Sequence, residues 1–152
     1  MRIAIGGLML AWLAALSCYD VRQRRLPNLL TLPGAAVVLL AAVAGGRDLP
    51  ALAGAAALAG VYLLVHLVAP AAMGAGDVKL ALGLGGLAGC FGVEVWFLAA
   101  LVAPLLTALC GMVGLRRGVR TVPHGPSMCL ATGLAVGLAL LGPQSSAASW
   151  SA

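Results

Sequence analysis

Charge is what this chain has least of. Only 9% of its 152 residues are charged, and four of them are acidic. A soluble domain carries about a quarter charged residues, so an aqueous surface is hard to build from this sequence. No CxxC pair is present among Cys18, Cys90, Cys110 and Cys129. That excludes a paired-thiolate metal or redox motif, and the four read as small buried hydrophobes. No HExxH occurs either, and the two histidines, His66 and His124, are far apart. Each is expected to be packed or hydrogen-bonded, with no metal and no cofactor.

What is present is apolar: 62% of the residues are hydrophobic. The bilayer is the natural solvent for such a chain. Six apolar runs are separated by short polar connections: Ile3–Tyr19, Leu29–Ala44, Ala51–Ala69, Val78–Gly92, Val95–Leu115 and Pro126–Leu141. Several fall short of the ~20 residues that span a bilayer, so each extends into its flanks or thins the membrane. The fold class expected is all-α: a polytopic bundle of about six transmembrane helices. One domain covers 1–142, and a small polar tail, 143–152, is expected to be flexible. Pro104 inside the fifth run should kink it and free a carbonyl.

The net charge of +5 comes from few basic residues clustered at the ends of apolar runs. They read as topology signals and contacts to anionic lipid, with no nucleic-acid partner. Arg22, Arg24, Arg25, Lys79, Arg116, Arg117 and Arg120 follow the odd-numbered runs or open the fourth, on one side; Arg2 and Arg47 lie on the other. That bias places the first side in the cytoplasm and the N terminus outside. Arg2, the first run and Ala15–Cys18 resemble a signal peptide, but such a peptide keeps its positive end inside. Here the arginines after the run outnumber the one before it, so the run is kept as a helix.

Small residues recur every four positions at Ala81, Gly85 and Gly89, and again at Gly133 and Gly137. In lipid, such faces let helix backbones approach closely. The fourth and sixth helices are therefore expected at the centre of the bundle.

Asp20 and Asp77 stand out among the four acids. Taken singly, each has a structural explanation: Asp20 paired with Arg22 or Arg24, Asp77 as the N-cap of helix four. Together they lie at equal depth on two helices, on the cytoplasmic side, while Asp48 and Glu94 fall outside. Ionisable groups at the membrane margin are costly and point to function. Two adjacent carboxylates share one proton. The ionised member can activate water, and the protonated member can polarise a peptide carbonyl and protonate the leaving amine. Gly74 and Gly76 would let an extended substrate approach Asp77. Lys79 either tunes the pair, holds a substrate carboxylate or snorkels to the interface.

Three stretches resemble the type IV prepilin peptidases, the GxGD membrane aspartic proteases. They are Asp20-Val21-Arg22 running on to Leu26-Pro27-Asn28 and Leu30-Thr31, Gly74-Ala75-Gly76-Asp77-Val78-Lys79-Leu80, and Pro123-His124-Gly125-Pro126. The resemblance implies that Asp20 and Asp77 are the catalytic pair. It gives Pro123, Gly125 and Pro126 a structural or substrate-positioning role. It implies prepilin or pseudopilin substrates, a place in the cytoplasmic membrane, and proximity to pilus-assembly machinery. The compact form is similar to the peptidases of tight-adherence (Flp-type) pili. Longer relatives carry paired cysteines and methylate the new N terminus; here peptidase activity without methylation is expected. Two other readings stay open: a small proton-coupled transporter and an inactive assembly subunit. Against a transporter built on inverted repeats, Asp20 ends helix one and Asp77 begins helix four on the same side.

Overall fold

The computed structural model describes residues 2–23, 27–70, 73–116, 118 and 123–142. Arg24, Arg25, Leu26, Arg117, Arg120 and the tail 143–152 lie outside the described residues. Among those described there are six helices and no strand: α1 Arg2–Gln23, α2 Asn28–Ala44, α3 Asp48–Val68, α4 Ala75–Cys90, α5 Val93–Arg116 and α6 Gly125–Leu141. The chain is all-helical.

The helices overrun the apolar runs because the flanking residues are good helix ends. Arg22 and Arg116 occupy the last turns of α1 and α5, and Asp48 and Glu94 the first turns of α3 and α5. Each charge opposes the helix dipole at its own end. Pro27, extended at φ −67°, ψ 131°, stands immediately before α2. At the opposite end of the bundle Gly46 turns the chain from α2 into α3 with a positive φ of 67°. The Arg47 guanidinium from that corner donates to the Cys90 carbonyl, an orphan acceptor at the end of α4.

α4 is the central helix, touching α2, α3, α5 and α6. Leu80, Ala81 and all of Gly83–Gly89 are buried. A helix that is apolar all round has no solvent face to keep, so it sits inside. Its tightest neighbour is α3, and the contact is backbone to backbone. A Cβ on Gly54 would strike the Gly85 carbonyl, and one on Gly89 would strike the Pro50 carbonyl. One on Gly85 would lie 2.5 Å from the Gly54 carbonyl and 2.8 Å from Leu58 Cβ. The Trp96 indole pins this seam from α5, donating to the Gly54 carbonyl at 2.9 Å. The Trp12 indole acts likewise between α1 and α2. It donates to Leu30 O at 3.1 Å, and its ring fills the space left by Gly34 and Gly83.

The small-residue reading holds for α4 and needs correction for α6. A Cβ on Gly137 would meet nothing within 4 Å, and one on Gly133 would meet only Leu13 at 3.5 Å. α6 instead buries Ser127, Met128, Ala131, Thr132, Ala135 and Val136, the stripe one helical face away. α5 runs unbroken through Pro104, and α2 through Pro33. Of the cysteines only Cys129 is buried; Cys90 is half-buried, and Cys18 and Cys110 lie on the exterior.

That exterior is apolar. Leu40, Val61, Leu64, Leu101, Leu105 and Leu138 are all more than half exposed. α3 and α5, at 21 and 24 residues, are long and apolar enough to cross a membrane; α2 and α6 are apolar but shorter. So many exposed large apolar side chains do not suit water.

Candidate active site

Asp20 faces the bundle because of its register. Leu13, Leu16 and Asp20 follow at three and four residues, and all are buried, while Cys18, Tyr19, Val21 and Arg22 are exposed. The stripe that packs the core therefore ends in a carboxylate. Pairing with Arg22 is overturned, since Arg22 sits on the outward side; Arg24 lies outside the described residues. The partner is the backbone of α6. Gly125 N–H donates to Asp20 Oδ2 at 2.9 Å. Asp20 thus caps the N-terminus of another helix, where unpaired N–H groups and the dipole favour an anion.

The Pro123–Pro126 run explains how α6 can offer that end. Pro126 occupies the first turn, where its missing N–H costs nothing. Gly125 is buried, and a Cβ there would sit 2.6 Å from Asp20 Oδ2. The glycine is needed for the room it leaves to Asp20. Pro123 is half-buried at the end of the preceding connection.

Asp77 is the third residue of α4, and the N-cap is Gly74, so the expected N-cap position is corrected. The capping itself is real: Gly74 N–H donates to Asp77 Oδ2 at 3.2 Å. Gly74 is exposed and Gly76 half-buried in the first turn. Asp20 and Asp77 are close enough for the charge of one to act on the other. Both lie just past the apolar runs, at one end of the bundle. Burial is the main cause holding the Asp77 carboxyl up at about 6, and the Asp20 charge adds to it against the Gly74 hydrogen bond. Burial also raises Asp20, opposed by the Gly125 hydrogen bond. Such a pair retains one proton where ordinary carboxylates have lost theirs.

Lys79 does not join them. Its Nζ donates to Asn28 Oδ1 at 2.8 Å, tying α4 to the start of α2. His66 Nδ1 is 2.8 Å from the Met73 carbonyl. Among the described residues no cluster of three or more metal-ligating side chains exists. Both histidines are hydrogen-bonded, as expected. His124 holds two partners: Tyr62 Oη at 3.0 Å from Nε2, and Thr107 Oγ1 at 2.6 Å from Nδ1. Burial lowers it from the usual histidine range. Tyr62 also lies within electrostatic reach of Asp77, and Cys129 within reach of both aspartates. Tyr62, Thr107 and Cys129 were not singled out in the sequence. One tyrosine in an apolar helix reads as an interfacial anchor, and one threonine as a residue bonding its own helix.

An apolar cavity of about 320 Å³ opens between α1 and α6, lined by Leu10, Leu13, Ala14, Ser17, Cys129 and Leu134 among others. Ser17 brings it within one helical turn of Asp20.

The type IV leader peptidase family model matches residues 7–114, a span that contains Asp20 and the Gly74–Asp77 run and ends before Pro123. No curated protein and no solved structure matches the chain. With most of its length matched, the chain belongs to the type IV leader peptidase family.

Proposed function

We propose that this member of the leader peptidase family is a membrane-embedded aspartic endopeptidase. It removes the basic leader from type IV pilin-like precursors at the cytoplasmic face. The observation that carries the reading is that Asp20 and Asp77, two of the chain's four acids, lie at one end of the bundle within reach of each other's charge. Six transmembrane helices, an N terminus outside and a cytoplasmic active site accord with Arg22, Lys79 and Arg116, which fall at that end of the bundle.

The chemistry follows from a shared proton. The ionised carboxylate takes a proton from water as its oxygen attacks the scissile carbonyl. The protonated carboxyl gives its proton to the carbonyl oxygen, forming a geminal diol; the proton taken from water then passes to the leaving amine as the C–N bond breaks, and a diol hydroxyl returns its proton to the second carboxylate. No covalent intermediate and no cofactor is required. The precursor's apolar segment would lie in the bilayer against the bundle, its leader among the anionic headgroups. The cavity lined by Ser17 supplies apolar surface one helical turn from Asp20. Gly74, exposed ahead of Asp77, leaves the substrate backbone room. We assign residues 1–142 to one peptidase unit and expect the new N terminus to be unmethylated.

Co-expression with a pilin-like precursor tests the reading. Wild type should shorten the precursor by its leader, and Asp20→Asn or Asp77→Asn should leave it intact. Normal trimming by either variant would remove that residue from the mechanism. A product heavier by one methyl group would overturn the second expectation.

A further inference from the structure

His124 carries more connections than a packed histidine needs. It stands between Pro123 and Gly125, so it belongs to the turn that delivers the Gly125 N–H to Asp20. Its ring bridges two other helices, reaching Tyr62 on α3 and Thr107 on α5. The proton order along this chain follows from donor accounting. Thr107 Oγ1 donates to Ala103 O at 3.1 Å, so its oxygen is left to accept from Nδ1–H of His124. Nε2 is then unprotonated and accepts from the Tyr62 hydroxyl. Each polar atom of Tyr62, His124 and Thr107 then fills a role open to it, Thr107 Oγ1 both donating and accepting. Such a network fixes a ring in one tautomer and one orientation.

Resting on the reading that Asp20 and Asp77 are the catalytic pair, we propose that Tyr62–His124–Thr107 is a positioning relay. It locks the turn before α6 so that the Gly125 N–H stays on Asp20 Oδ2, which makes Asp20 the ionised, water-activating member and leaves the shared proton on Asp77. A hydrogen bond given to a carboxylate favours its charged form. The N–H given to Asp20 is shorter than the one given to Asp77, 2.9 against 3.2 Å. It also comes from the buried end of α6, whereas Gly74 is exposed. The titratable groups near the pair from other helices are Tyr62 of α3, Cys129 of α6 and His124 itself. Lys79 and His66 are engaged with Asn28 and Met73 instead. None of the relay residues is a catalytic residue by this reading, because each acts through the Gly125 backbone.

The chain has three aspartates, Asp20, Asp48 and Asp77, so ¹³Cγ-aspartate labelling of the full protein in lipid nanodiscs gives few and assignable signals. Wild type should show Asp20 titrating below Asp77. His124→Phe keeps the shape and removes both polar links; Asp20 should then titrate about one pH unit higher. His124→Gln retains a donor and an acceptor and should recover most of that shift. Tyr62→Phe breaks only the last link and should shift Asp20 in the same direction by less, which covers the case of His124→Phe failing to fold. In the cleavage assay kcat should fall about tenfold or more with KM within about twofold, as expected for a mispositioned carboxylate. Unmoved Asp20 titration in Tyr62→Phe and in the folded His124 variant, or an Asp77 that titrates below Asp20 in wild type, would overturn the relay. The titration needs no substrate. A protein that shows these shifts but cuts no precursor keeps the relay and loses the peptidase reading.

Discussion

Gly125→Ala should disable the enzyme while leaving its fold. The new Cβ would lie 2.6 Å from Asp20 Oδ2, 3.0 Å from Cγ and 3.3 Å from Cβ, where ordinary contact begins at 3.4 Å. The carboxylate must retreat by about 1 Å, which takes the 2.9 Å hydrogen bond from Gly125 out of range. A hydrogen bond to a charged group is worth about 1.5–3 kcal/mol, or roughly ten- to 150-fold in rate if it is lost in the transition state. Misplacing a reacting group by about 1 Å costs on the order of 100-fold, so the two routes agree. The fold should survive, because the worst overlap is with the far end of one side chain, the Cβ contact is only about 0.1 Å short of an ordinary one, and alanine suits the first turn of a helix. Gly111→Ala is the control. Its Cβ would meet nothing within 4 Å. Cleavage kinetics on a precursor, beside thermal unfolding of the same samples, separate the cases. Gly125→Ala at the wild-type rate, or both variants equally impaired, would refute the argument.

Gly85→Ala should do the reverse, damaging the fold first. Its Cβ meets the Gly54 carbonyl and Leu58 Cβ, and backbone cannot swing aside. Overpacking of this kind costs about 1–3 kcal/mol, visible as a lower unfolding temperature, whereas Gly137→Ala at an open position should change little. The pH profile should show its alkaline limb above the usual carboxylate range. Asp77 held up at about 6 keeps its proton where an ordinary aspartate has lost it, and activity falls as pH rises through that value. In Asp20→Asn the neighbouring charge is gone, so the Asp77 ¹³Cγ titration should move down. An unchanged titration would mean the two carboxylates do not interact.

Much of this was legible in the sequence because charge is so scarce. With four acids in the chain, two at one membrane margin already marked a candidate site, and the fold brings those two within reach of each other's charge. The apolar runs gave six helices with edges a few residues short, since Asp20–Gln23 and Ala75–Asp77 continue their helices as favourable ends. The Ala81–Gly85–Gly89 repeat located the central helix. The identical spacing at Gly133 and Gly137 did not, because a glycine pattern says nothing about whether a partner backbone lies opposite. The face of α6 that packs carries serine, alanine and threonine instead. Gly125 was given only a structural or substrate-positioning role by the resemblance. Its contact with Asp20 joins positions 105 residues apart, and no local pattern encodes that. Tyr62 and Thr107 were invisible for the same reason: their meaning comes from a histidine on a distant turn.

The central claim is that Asp20 and Asp77 act as one unit. The direct measurement is cleavage of a precursor by purified protein in lipid, comparing Asp20→Asn, Asp77→Asn and the double variant. Residues that act together lose nearly everything singly and little more jointly. Each single variant should fall by about 10⁴-fold or more, and the double variant should fall no further. Single losses that multiply in the double variant, or a single variant that keeps a substantial fraction of the wild-type rate, would contradict the pair.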